Sequence, residues 1–150
     1  MYPDERVAKL ISESLLPIRV HVREQAEDYP RLSQQYGAEW TPTTLMLDGE
    51  GKEQHRIEGF LPVDDFLAQL RLGLGRMQFS AGHFEEAEKR FRAIVDGAPE
   101  NDVAPEALYW AGVSRYKRTG DAGALGDTAN AFRDRYQDTL WAKKASVWAK

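Results

Sequence analysis

Hydrophobic positions follow two rhythms along this chain, and the change falls near its midpoint. Val7, Leu10, Ile11 and Leu15 recur at the three- and four-residue interval of a helix face, with Asp4 placed to cap that helix and Pro17 to end it. Ile18, Val20 and Val22 then alternate with Arg19, His21 and Arg23, which is the period of a half-buried strand. Tyr29, Leu32 and Tyr36 predict a short helix that begins near Asp28 and Pro30 and stops at Gly37. Thr43 to Leu47 is a second expected strand, Asp48-Gly49-Glu50-Gly51 a turn, and Glu53 to Ile57 a third strand. Gly59-Phe60 breaks it. Pro62, Asp64 and Asp65 then mark the first turn of a helix that buries Phe66, Leu67, Leu70 and Leu74.

From Gly75 onward the strand signal is gone. Gly75, Gly82, Phe84, Ala87, Phe91, Ile94 and Pro99 stand at spacings that let two helices close on small residues and fill the gap between them with aromatics. A looser second unit starts near Ala104 with Leu108, Ala111, Gly112 and Tyr116. It turns at Thr119-Gly120-Asp121 and returns through Leu125, Ala129, Phe132 and Tyr136. Leu140, Trp141, Ala145 and Trp148 predict a closing helix. These spacings resemble tetratricopeptide repeats. The resemblance implies helical hairpins with a surface that holds a peptide or partner helix. About two repeats are fewer than the three or so that stand alone.

The first half carries a second resemblance. Tyr36-Gly37, Thr41-Pro42-Thr43, Leu45-Met46-Leu47-Asp48, Gly51, Arg56, Gly59-Phe60 and Phe66-Leu67-x-x-Leu70 look like the C-terminal half of a thioredoxin-like domain. Tyr2-Pro3-Asp4-x-x-Val7 resembles the segment that follows the family's redox dithiol. The resemblance implies a cis-proline at Pro42 and places the family's β-α-β start and Cys-x-x-Cys before Met1. It also implies that the strand at Ile18 and the strand at Thr43 lack a shared neighbour. That predicts a direct pairing, a gap filled by a second chain as a homo-oligomer, or a marginal fold.

The expected fold class is therefore α/β over residues 1–74, a truncated thioredoxin-like domain of three strands with flanking helices. All-α hairpins of tetratricopeptide type follow over residues 75–150.

Composition narrows the chemistry. The 150 residues contain no cysteine, which excludes disulfides, thiolate metal sites and thiol catalysis by this chain. His21, His55 and His83 lack metal-ligand spacing, so no metal and no cofactor is expected. Net charge is −4 with no strong basic patch, and no apolar run reaches the roughly 18 residues of a membrane span; neither nucleic acid nor membrane is an expected partner. Without a signal peptide in the sequence as written, a cytoplasmic location is expected.

Candidate binding residues remain. Trp40, Thr41 and Pro42 form either the lip of a groove, where the Thr41 backbone pairs with an extended peptide, or a retained structural turn. Tyr109, Tyr116 and Lys117 fall where the inner face of a tetratricopeptide array lies, and either hold a partner or pack on the next helix. Trp141 and Trp148 share a face that is either core cover or a contact patch. Arg19, His21 and Arg23 read as a solvated strip, and Asp64-Asp65 and Glu85-Glu86 as complements to helix dipoles. The expected function is non-catalytic protein or peptide binding. Two rivals are a longer thiol–disulfide oxidoreductase whose dithiol lies upstream of Met1, and a chaperone-like adaptor active only in an assembly.

Overall fold

A computed structural model describes residues 3–149; Tyr2, part of the opening motif, lies outside them. The chain divides into two compact units within one helix, residues 1–67 and residues 68–150. Each unit has its own logic.

The first unit begins with α1 (Glu5–Ser14). Asp4 caps it, its carboxylate accepting the Arg6 amide at 2.8 Å. α2 (Asp28–Tyr36) ends at Gly37, whose φ of 59° is the left-handed cap that a residue without Cβ adopts freely. The Ala38 amide donates to the Ser33 carbonyl at 2.9 Å, closing that cap. β1 (Thr43–Leu47) and β2 (Glu53–Glu58) pair antiparallel, Thr43 opposite Glu58, with an irregularity between Met46 and Leu47. Asp48 builds the turn between them. Its Oδ1 accepts the Glu50 and Lys52 amides, each at 2.9 Å, and its Oδ2 accepts Gln54 Nε2 at 2.9 Å. These hydrogen bonds, that from the Lys52 amide foremost, hold the Asp48 carboxyl below its ordinary range. α3 (Val63–Ser80) closes the unit with its first turns. Val7, Met46, Ile57, Phe66 and Leu67 are its buried apolar residues.

The third strand is absent among the described residues: Ile18 to Val22 pair with nothing, and the sheet has two strands. Alternation supplies a face but not a ladder. The backbone donors here go to local side chains instead. The His21 amide donates to Gln25 Oε1 at 2.6 Å, and His21 Nδ1 accepts from the Arg23 and Glu24 amides at 3.2 Å each. Leu16 and Ile18 are left 88% and 82% exposed.

The second unit is helical among its described residues. It holds the rest of α3, then α4 (Phe84–Gly97), α5 (Ala104–Thr119), α6 (Gly123–Asp134) and α7 (Leu140–Ala145), which runs into a 3-10 turn at Ser146–Trp148. Two close approaches organise it. A Cβ at Gly75 would lie 2.6 Å from the Phe91 ring, and one at Gly112 would lie 2.0 Å from Thr128 Oγ1. Each pair is separated by sixteen positions, so successive helix pairs close in the same way. Ala87 and Ala124 hold equivalent places and are both buried. The core also contains Ala68, Leu72, Ile94, Val95, Ala107 and Phe132. Glu88, nearly buried on α4, accepts Arg118 Nη2 of α5 at 2.8 Å and Arg92 Nε at 3.0 Å. Tyr136 Oη reaches back to the Pro99 carbonyl at 2.6 Å.

Candidate functional site

In the first unit the chemistry converges on the outer edge of β1. The Gly59 amide donates to the Pro42 carbonyl at 2.7 Å, so Pro42 and Gly59 are a hydrogen-bonded pair. Antiparallel pairing alternates. With Thr44 opposite Ile57 and Met46 opposite His55, the amides and carbonyls of Thr44 and Met46 turn toward β2. Those of Thr43 and Leu45 turn the other way, and no described hydrogen bond uses them. β1 thus presents one paired and one open edge.

Trp40, Thr41 and Pro42 lead into that edge and are all exposed, Trp40 by 68%. The Thr41–Pro42 peptide is cis. Thr43 Oγ1 donates to the Trp40 carbonyl at 2.5 Å and ties the loop to the start of the strand. Arg56 anchors the other side. Its guanidinium donates to the Tyr36 and Gly37 carbonyls at the end of α2, and to Glu53 at 2.6 Å and Glu58 at 3.0 Å. Tyr36 Oη donates to the Gly51 carbonyl at 3.1 Å. The open edge is therefore held on a braced hairpin.

The second unit separates the other candidates. Tyr109 stacks on Trp148 with ring centroids 4.8 Å apart and meets Trp141 at 5.2 Å and Trp110 at 5.4 Å. Tyr109, Trp141 and Trp148 are partly buried and pack together against the core. Tyr116 lies near the end of α5 and is partly exposed. Lys117 lines a shallow hollow of about 640 Å³ with His83, Phe84, Lys89 and Arg118. Tyr109 and Lys117 therefore serve different surroundings.

Three features escaped the sequence reading. The outward groups of Thr43 and Leu45 follow from a register that only Gly59 and Pro42 reveal. Arg56 carries the family resemblance, but its contacts with the end of α2 do not follow from it; Glu88, which links α4 and α5, is one charged residue among many, without a local signature. Burial pushes the Glu88 carboxyl up, but hydrogen bonds from Arg118 and Arg92 outweigh it and hold the carboxyl below its ordinary range. The described residues contain no group of three or more histidines, aspartates or glutamates placed to hold a metal. None of their helices is long and apolar enough to cross a membrane.

Residues 3–73 match the family model of a thioredoxin-like domain, a span just under half of the chain. The chain carries a thioredoxin-like domain in its first half. No curated protein and no solved structure matches it.

Proposed function

We propose that this chain is a non-catalytic binding protein that takes an extended peptide as an added strand on the open edge of β1. The observation that carries this reading is the pair of outward amides and carbonyls at Thr43 and Leu45, beside the exposed Trp40–Pro42 lip. An unpaired edge is a ready template for a further strand, and main-chain hydrogen bonds supply affinity with little demand on sequence. Trp40 adds a large, rigid apolar contact at the rim. A chain without cysteine offers such a peptide no thiol to exchange with.

The second unit is read as hairpins of tetratricopeptide type. The repeated closure of Gly75 on Phe91 and Gly112 on Thr128 supports that reading, since each pair sets a small residue against the partner helix at one spacing.

The test is a display selection of twelve-residue peptides against the full chain, followed by Leu45→Pro. Proline removes the outward Leu45 amide and leaves the Thr44 and Met46 bonds to β2 in place. Selected peptides should lose most of their affinity for Leu45→Pro and protect the Thr43 and Leu45 amides of the parent chain from exchange. Peptides that bind both chains equally would sink the reading.

A further inference from the structure

We draw no further inference here: the strongest candidate, the shallow hollow at the start of α4 that His83, Lys89 and Lys117 line, rests on a helix N-terminus beside exposed lysines, and no second feature among the described residues points to a ligand there.

Discussion

The two units solve the same problem with unequal means. In residues 68–149 the helices bury their apolar stripes against one another, and the glycines at 75 and 112 each meet a residue sixteen positions on, Phe91 and Thr128. In residues 3–67 the apolar residues outnumber the partners available to them. Leu16, Ile18, Val22, Trp40 and Phe60 remain exposed, and the sheet has two strands. A two-stranded sheet is marginal unless other elements support it. The difference is one of closure: the helical unit buries most of its apolar side chains between helices, with Leu140 and Val147 left outside, whereas the smaller unit leaves more of its apolar surface and one strand edge open.

The sharpest contrast lies between Phe91 and Trp40. Phe91→Ala removes a fully buried ring and should cost about 3–5 kcal/mol, read as a fall in the unfolding midpoint of the helical unit. Trp40→Ala should change stability by no more than about 0.5 kcal/mol and be felt in binding. Equal losses for the two would remove the contrast.

The glycines give the next largest effect. Alanine at Gly75 or Gly112 meets the Phe91 ring or Thr128 and should destabilise by about 1–3 kcal/mol despite alanine's better helix propensity. Gly126, inside α6 with open space around it, should gain up to about 1 kcal/mol on the same change. Denaturant melts of the three variants check this, and a common sign would show that propensity, not contact, decides.

Much of this was legible in the residues. Gly75 and Phe91 stood out because a helix pair needs a small residue opposite a large one, and both lie on helices of strong period. Thr43 to Leu47 and the turn at Asp48 were readable because a hairpin is local. The strand expected at Ile18 to Val22 was misread because alternation reports only what a segment prefers on its two faces. Pairing needs a partner, and partners are set over long distances. The open edge at Thr43 and Leu45 was hidden for the same reason: side chains carry the pattern, and the main chain carries the site.

Acid should separate the units by smaller effects. The Glu88 and Asp48 carboxyls both lie below their unfolded values, which are near 4.3 and 3.9. A lowered carboxyl contributes stability that is present above the unfolded value and lost as pH falls through the folded one. Glu88→Gln should therefore flatten the acid limb of the helical unit's stability, and Asp48→Asn that of the hairpin. Each variant leaves the other unit's limb unchanged. Amide exchange resolved by residue between pH 2 and 6 reads both, and an acid limb that ignores these substitutions would place the titration elsewhere.

Amide hydrogen exchange along β1 tests the central claim most directly. Thr44 and Met46 donate toward β2, whereas Thr43 and Leu45 face the open edge. The Thr43 and Leu45 amides should exchange at least about tenfold faster than those of Thr44 and Met46, because an unpaired amide needs no opening of the ladder. Equal protection at all four positions would mean that the edge is already occupied, and the binding account would fail with it.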